Sequence, residues 1–347
     1  MKTKTLPTIY AILAALTYAL NIPMSKTLLT RGGPTMLAAF LYLGAGSGLL
    51  LYRVLGRIAG KSLPRAPMTS QELPYTIAMV VLDVAAPILL MCGIRASNSA
   101  NVSLMNNFEI VATSLIALVI FREVISRRLW LAIILVTIAS IILSFEGSGA
   151  LSFNYGSLFV LGACLCWGFE NNCTRALSHR NSTEIVVIKG IFSGLGCLMV
   201  ALWVKEPMPT PGWTLLAMIL GFVSYGLSIC CYIMAQNELG AAKTSAYYSI
   251  APFLGVAISI LVLGEKPGPQ FYAALVIVAI GTWFMIRDNI ELQHTHEHEH
   301  IHTHEHRHGS TVHIHEHSHR HCHTHTHGSD SENHTHSHDL AEHDHTH

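Results

Sequence analysis

The chain has 347 residues, of which 51% are hydrophobic and only 12% are charged, and its mean hydropathy is +0.42. This composition is too apolar for a soluble domain of that length, so the sequence predicts a protein that crosses a membrane several times. The formal net charge is zero and the apolar part has no long basic or acidic block, so nothing indicates nucleic-acid binding.

Apolar runs of about 20 residues, long enough to span a bilayer, follow one another through most of the chain. They begin near Leu6, Pro34, Tyr75, Ser99, Leu129, Gly156, Glu184, Gly212, Ala241 and Gln270. The runs predict an all-α membrane protein with ten transmembrane helices. The first run is longer than a signal-peptide core and has no small-residue cleavage pattern, so we interpret it as a retained helix.

Two stretches, Phe108–Leu143 and Ser249–Met285, share one pattern of two apolar runs joined by a polar corner. Glu123 matches Glu265, Arg128 matches Gln270 and Ala132 matches Ala274 at one constant shift. A shift of roughly 140 residues is too long for a solenoid unit and indicates two homologous halves. Since each half has an odd number of spans, the second half enters the membrane in the opposite sense to the first.

The second half carries Pro252 at the head of its penultimate apolar run and Leu263-Gly264-Glu265 at its end. The openings of the halves also agree, since WGFENNCTRAL, from Trp167, aligns with YALNIPMSKTL, from Tyr18. In these features the sequence resembles the EamA type of the drug/metabolite transporter superfamily.

The resemblance covers Leu6 to about Ile286. It implies a carrier of two inverted five-helix repeats, residues 1–147 and 148–288, which enclose a central cavity and expose it to each side in turn. The first half departs from the pattern, because Arg122 replaces the glycine before Glu123 and Ile110, beside Glu109, stands where Pro252 does.

Basic residues predict the orientation. With the N-terminus in the cytoplasm, the corner FREVISRR places three arginines inside, whereas GEKPGPQ places one lysine outside. We therefore expect a multi-pass protein of the plasma (inner) membrane with both termini cytoplasmic.

The pairs Gly44/Gly48 and Gly190/Gly194 have the spacing at which helices pack closely. We favour static packing over a sliding contact for them.

Residues 289–347 form a tail in which histidine alternates with polar residues. With almost no apolar residues to bury, the tail is predicted to be disordered without a ligand. Imidazoles at every second position suit zinc, nickel, cobalt or copper, with carboxylates and Cys322 as further ligands. The predicted ligands are His294, His296, His298, His300, His302, His304, His306, His308, His313, His315, His317, His319, His321, Cys322, His323, His325 and His327. A low-complexity repeat without a physiological ligand is the alternative.

Three acidic residues lie inside predicted spans, where an ionised group is costly unless it faces a cavity or a partner. They are Asp83, Glu109 and Glu170. Asn106 and Thr113 lie one helical turn on either side of Glu109 and complete a polar stripe. The alternative for all three acids is a role in packing or at the lipid interface.

Further polar positions could line the same cavity, although aromatic stripes in bundles often only pack. The predicted substrate-binding residues are Asn21, Asp83, Asn106, Glu109, Glu170, Ser228, Tyr232 and Tyr248, with Tyr18, Ser25, Tyr225, Ser245 and Ser249 on the same faces. Lys189 is expected to extend toward the membrane surface instead of binding cargo.

No G-x-x-x-x-G-K-[ST] loop occurs in the sequence, so ATP is not expected to drive the process directly. We predict a non-enzymatic secondary transporter that needs no cofactor. The first hypothesis is export of a divalent transition metal or metal complex, with the tail capturing or sensing ions. The alternative is transport of amino acids or related metabolites, with a regulatory tail. A third hypothesis is a membrane-anchored metal store. The expected partners are the lipid bilayer and the substrate, and a homodimer is left open.

Overall fold

A computed structural model describes residues 5–58, 69–70, 72–121, 125–145, 154–177, 182–239, 241–308 and 311–326. The predictions on Arg122, Glu123, the 147/148 repeat boundary and His327 lie outside the described residues. The chain divides into two compact units, Met1–Ile290 and Glu291–His347.

The first unit consists, in its described part, of helices and short connecting segments. Its first seven helices are α1 (Thr5–Ala19), α2 (Asn21–Leu28), α3 (Pro34–Ile58), α4 (Leu73–Ala96), α5 (Ser99–Met105), α6 (Phe108–Phe121) and α7 (Arg127–Leu143). The next eight are α8 (Tyr155–Ala176), α9 (Ser182–Ile188), α10 (Gly194–Trp203), α11 (Pro211–Gly221), α12 (Ser228–Leu239), α13 (Ala241–Tyr248), α14 (Ala251–Leu263) and α15 (Pro269–Leu292). Two π-helical segments, Lys189–Ser193 and Phe222–Leu227, join α9 to α10 and α11 to α12.

Eight helical stretches of the described chain are long and apolar enough to cross a membrane. They are Leu6–Leu28, Pro34–Gly56, Leu73–Ala96, Ser99–Ile120, Thr183–Trp203, Pro211–Gln236, Lys243–Leu263 and Pro269–Asp288. The other two predicted spans correspond to α7, which has only 17 residues, and to α8, which has 22 residues and carries Glu170 and Arg175. The sequence predicted ten crossings, and length and composition support eight of them.

Two of the long stretches are interrupted at matching positions in the two halves. Asn106 and Asn107 separate α5 from α6, and Ser249 and Ile250 separate α13 from α14. Pro252 lies in the first turn of α14, where its missing N–H leaves no hydrogen bond unmade. Broken helices at corresponding positions of inverted repeats are where secondary transporters bind their substrates, so these interruptions direct attention to the space between them.

Glycines let helices of the two halves approach each other closely. A Cβ atom at Gly44 of α3 would lie 2.1 Å from the carbonyl oxygen of Met218 in α11. A Cβ atom at Gly190 would lie 2.5 Å from the Cα atom of Gly46 in α3. Gly44 and Gly190, one from each pair, therefore make backbone contacts that a side chain would prevent.

The second unit contains two antiparallel strands, β1 (Gln293–His308) and β2 (Thr311–Thr326). The sequence predicted disorder for these residues, and the structure pairs them instead. The physical reason lies in the period of two, because strict alternation of two residue types is the pattern of a strand. Low hydrophobicity argues against a buried core but does not prevent a two-stranded ladder from forming.

Candidate functional site

A cavity of about 480 Å³ lies within the first unit, bordered by both helix interruptions. Asn106 and Asn107 reach it from the α5–α6 break, and Ser249 and Pro252 reach it from the α13–α14 break. Its remaining wall comes from α1, α3, α6, α8, the two π-helical segments, α12, α13 and α15. Both halves of the chain therefore contribute to one central cavity.

Lys189, the first residue of the π-helical segment after α9, borders this cavity and forms two ion pairs. Its Nζ lies 2.8 Å from Glu170 Oε1 and 3.2 Å from Asp83 Oδ2. The Asp83 contact is an ion pair without hydrogen-bond geometry. Asp83 and Glu170 are buried, with 0% and 2% of their side chains exposed, so Lys189 is the group that compensates them. The expectation that Lys189 extends away to the membrane surface was wrong, because two buried carboxylates hold it in the span.

Aromatic and hydroxyl groups complete the surroundings of this triad. The hydroxyl of Tyr42 donates to Asp83 Oδ1 at 3.1 Å, and the indole N–H of Trp167 donates to the Tyr42 oxygen at 3.4 Å. The hydroxyl of Thr174, one turn along α8, donates to Glu170. The donors come from α3, α8 and the π-helical segment, and the acceptor Asp83 comes from α4, so the network joins both halves of the chain.

Glu109 lies across the cavity on α6. Its Oε1 accepts a hydrogen bond of 2.9 Å from the amide of Asn171, which also donates to the Thr113 hydroxyl at 3.2 Å. No ion pair to Glu109 is present in the described part of the chain. Asn106 donates to the Tyr18 hydroxyl at 3.4 Å, and its buried Oδ1 has no hydrogen-bond partner among the residues that the structure describes. The cavity wall therefore includes a carboxylate, Glu109, without a cationic partner among the described residues.

Tyrosine rings line the same cavity. Tyr18 contacts Tyr248 with ring centroids 5.6 Å apart and Tyr225 with centroids 6.2 Å apart. Tyr42 and Tyr225 have centroids 5.5 Å apart. The faces of such rings attract cations, so aromatic walls and carboxylates favour the same sign of ligand charge.

The structure brings four of the eight predicted substrate-binding residues to the cavity wall. These four are Asn106, Glu109, Glu170 and Tyr248. Asn21 and Asp83 lie one layer behind it, where Asn21 donates to the Tyr225 hydroxyl at 2.7 Å and Asp83 pairs with Lys189. Tyr232 hydrogen-bonds with Ser245 at 2.9 Å. Ser228 does not line the cavity. Its hydroxyl donates to the Ala14 carbonyl at 2.8 Å and joins α12 to α1.

Sequence reasoning missed Tyr42, Trp167, Asn171 and Lys189, all of which border the cavity. Asn171 carried a signal, because it follows Glu170 directly in a span otherwise rich in apolar residues. Of the supporting set, Tyr18, Tyr225, Ser245 and Ser249 do border the cavity, whereas Ser25 is fully buried beside Asn21.

Among the described residues of the helical unit, no group of three or more His, Cys, Asp or Glu side chains that could hold a metal ion occurs. The cysteines of the helical unit are all unpaired thiols in the structure. The cavity wall thus offers carboxylates, amides, hydroxyls and aromatic rings, and among its described residues neither imidazole nor thiol.

At one end of the bundle, which we call the Glu265 end, two acidic residues in loops accept hydrogen bonds from the starts of helices. Glu265 accepts hydrogen bonds from the backbone N–H groups of Ser99 and Ala100 at 2.9 and 2.8 Å. Glu206 accepts them from Thr35 and Met36 at 3.1 and 2.7 Å. Each bond joins a loop of the second half to a helix start of the first, where the helix dipole favours a negative charge.

Comparison with known proteins gives consistent matches. The EamA-like transporter family matches residues 5–145 and 154–287. An uncharacterized transporter of Methanothermobacter thermautotrophicus is 24% identical over 273 residues, which are 73% of this chain and 78% of that protein. The protein RarD of Streptomyces exfoliatus is 32% identical over 143 residues, which are 36% of this chain and 44% of that protein.

A solved crystal structure of a protein with 13% sequence identity covers 84% of this chain and 99% of its own, with a TM-score of 0.59. At that identity the likeness concerns the fold alone. The two family matches cover both halves of the helical unit and leave the histidine-rich tail outside them. The chain therefore belongs to the EamA-like transporter family, within the drug/metabolite transporter superfamily, as an integral membrane protein that crosses the bilayer several times.

Proposed function

We propose that this protein is a secondary transporter working by alternating access, and that its substrates are small organic molecules with a protonated amine, such as amino acids or related compounds. The observation that carries the proposal is the excess of negative charge at the cavity. Lys189 is shared by Asp83 and Glu170, and Glu109 has no ion-pair partner among the described residues.

Charge balance gives the physical reason. Three carboxylates and one ammonium group leave the site with up to two uncompensated negative charges, and such charges are expensive inside a membrane. The cost falls when a proton or a cationic ligand enters. An empty cavity therefore favours a cation, and exchange between protons and a substrate amine would couple transport to a proton gradient.

The groups of the cavity wall favour an amine in particular. An ammonium group has several N–H donors in different directions, and the carboxylate of Glu109 in the cavity wall could accept one of them. The rings of Tyr18 and Tyr248 offer a further attractive surface for the positive charge. A cavity of about 480 Å³ falls within the range in which proteins bind small organic ligands.

The sequence's first hypothesis, a transition metal as cargo, receives less support from this cavity. Zinc, nickel, cobalt and copper favour imidazole and thiolate ligands, and the described wall provides oxygen ligands instead. Metal transport is kept as an outcome of the experiment below.

For the membrane arrangement we propose ten crossings with both termini in the cytoplasm. In this arrangement the short helix α7 and the polar helix α8 supply the two crossings that length and composition do not establish, which gives each half the five helices that the family resemblance implies. This orientation puts the Glu265 end on the outer side. The present conformation would then be closed to the outside by Glu265 and Glu206, and the cavity, bordered by Met285 and Ile286 near the end of α15, would open toward the cytoplasm.

The test is transport by the purified full-length protein in liposomes with an imposed proton gradient. Radiolabelled zwitterionic amino acids, simple amines, Zn²⁺, Ni²⁺ and Co²⁺ are offered separately, and protein-free liposomes serve as the control. We expect gradient-dependent movement of at least one amine-bearing compound. Movement of metal ions alone would replace this proposal by the metal hypothesis, and a gradient-independent flux of amines would refute the proton coupling.

A further inference from the structure

The pairing of β1 with β2 places histidine opposite histidine at seven successive alternate positions. The facing pairs are His294–His325, His296–His323, His298–His321, His300–His319, His302–His317, His304–His315 and His306–His313. We refer to these seven pairs as the histidine ladder. Since residues two apart in a strand lie on the same face, all seven pairs belong to one face of the two-stranded sheet.

This register is a specific arrangement and does not follow from the number of histidines. Two antiparallel strands can be shifted by one residue, and every histidine of β1 would then stand opposite threonine, glutamate, serine, arginine or another non-histidine residue of β2. Only two residues lie between the strands in the sequence, and so short a separation limits how far the register can shift. The connection and the alternation of residues favour the same register.

We propose that the histidine ladder is a site for divalent transition metals in which each ion is bound by histidines of both strands, so that metal binding and strand pairing stabilise each other. Residues directly opposite in an antiparallel ladder have Cβ atoms about 4.5–5.5 Å apart, which is close enough for two imidazoles to share one ion. Two successive pairs supply four imidazoles, and neutral imidazole is a preferred ligand of zinc, nickel, cobalt and copper.

The other face of the sheet has a different composition and takes no part in the ladder. Its pairs include Glu297–Cys322, Glu299–Arg320 and Thr303–Glu316. Cys322 therefore stands at a register position of the opposite face from the histidines. The sequence analysis predicted Cys322 as a metal ligand, whereas the proposed site in the histidine ladder does not include it.

The ladder also explains how a segment with so little apolar surface could be ordered conditionally. Burial of apolar side chains cannot stabilise these strands, because their sequence is nearly all polar. A bound ion that joins the strands supplies the missing free energy only when the ligands are deprotonated. The proposal concerns the second unit and does not depend on what the cavity transports.

The experiment compares two variants of the full-length protein that lose the same number of histidines. In the first, His296, His298, His300, His302, His304 and His306 of β1 become asparagine, which leaves one facing pair, His294–His325. In the second, the three whole pairs His294–His325, His296–His323 and His298–His321 become asparagine, which leaves four successive facing pairs. Zn²⁺ and Ni²⁺ are each titrated into the detergent-solubilised proteins at neutral pH by calorimetry.

The ladder predicts that the second variant keeps roughly half of the wild-type sites of high affinity and that the first loses most of them. Hydrogen exchange of residues 293–326, followed by mass spectrometry, supplies a second readout. Zn²⁺ should slow exchange in both strands of the wild type and of the second variant, and should not do so in the first. Equal metal content and equal exchange in the two variants would mean that only the number of histidines matters, and the ladder would be refuted.

Discussion

Glu265, in the corner that follows α14, accepts two hydrogen bonds from Ser99 at the start of α5, one of 2.9 Å from its backbone N–H and one of 2.7 Å from its hydroxyl. The two residues belong to different halves of the chain. The Leu-Gly-Glu corner by which the sequence resembles its family therefore has a physical role, since its carboxylate caps a helix of the other half. Gly264 makes the corner possible by taking a φ of +67°, a left-handed conformation that side chains disfavour.

Glu265→Gln should weaken the closure of the Glu265 end, because a neutral amide is a poorer acceptor for two backbone N–H groups and a hydroxyl. A lost cap of this kind costs about 1 kcal/mol. We expect faster reaction of a cysteine placed at Ser249, in the cavity wall, with an impermeant reagent added to intact cells. Lys266→Gln, a neutral substitution at an exposed neighbour in the same corner, should leave the labelling rate unchanged. An equal labelling rate in Glu265→Gln and in the wild type would show that Glu265 does not help to close the cavity to the outside.

Gly190→Ala should destabilise the bundle, because the added methyl group would lie 2.5 Å from the backbone of Gly46. Overpacking of this kind costs about 1–3 kcal/mol. Gly56→Ala is the matched control, since no atom lies within 4 Å of the position of its added Cβ. Thermal unfolding of the purified proteins in detergent should show a lower midpoint for Gly190→Ala alone. Equal unfolding midpoints would mean that α3 and the π-helical segment can move apart to admit the methyl group without loss of stability.

Lys189→Met should destabilise the protein more strongly than either glycine change, because it leaves Asp83 and Glu170 buried without their cation. Breaking a buried ion pair costs on the order of 3 kcal/mol. Adding Asp83→Asn to Lys189→Met removes one of the stranded charges and should restore part of the lost stability. The double-mutant cycle is measured by thermal unfolding. If the second substitution makes the protein still less stable, the role of Lys189 is packing and not charge compensation.

Sequence reasoning could predict the fold because the signals that carry it are local or repeated. Apolar runs mark the spans, and the constant shift between Glu123 and Glu265 marks the duplication. Sequence reasoning could not predict the break between α5 and α6. The break between α13 and α14 is followed by Pro252, but the equivalent position in the first half is Ile110. Two asparagines, Asn106 and Asn107, occupy the first break instead.

The site was predicted in part for a similar reason. An acidic residue inside an apolar run is conspicuous, so Asp83, Glu109 and Glu170 were found. The cation that compensates two of them was misjudged, because Lys189 lies near a predicted helix end, where lysines usually extend to the surface. Its pairing with Asp83 on α4 and Glu170 on α8 depends on how three distant segments pack, which no local pattern encodes. For the tail, composition indicated disorder without a ligand, whereas the pairing of β1 with β2 follows the period of two in its sequence.

The proposed orientation predicts that both ends of the chain are shielded from outside. The natural Cys322 and a Thr3→Cys substitution should react with an impermeant thiol reagent only after the cells are permeabilised. Lys266→Cys, at the proposed outer corner, should react in intact cells and confirms that the reagent works. Labelling of either terminus in intact cells would contradict an even number of crossings or the cytoplasmic assignment.

Glu109 offers the most direct test of the proposed transport mechanism, because the second half has Ala251 at the equivalent position and no symmetry-related acid can replace it. Glu109→Gln keeps the size of the side chain and can keep the contact with Asn171, since its amide oxygen still accepts that hydrogen bond. It removes the negative charge that would receive an amine or a proton. A hydrogen bond to a charged group contributes about 1.5–3 kcal/mol, which corresponds to about a 10- to 100-fold loss of affinity for a cationic substrate.

We therefore expect Glu109→Gln to fold and unfold as the wild type does, to lose most transport of the amine-bearing substrate at low concentration, and to lose the dependence of the remaining flux on the proton gradient. Glu238→Gln, which neutralises an exposed acid on α12, is the control. It should change neither the transport rate nor its dependence on the proton gradient. A purely structural role would produce the opposite pattern, a lower unfolding temperature with transport preserved per folded molecule. Wild-type rates with unchanged gradient dependence in Glu109→Gln would show that this carboxylate neither binds the cation nor carries the proton, and the exchange mechanism would have to rest on Asp83 and Glu170.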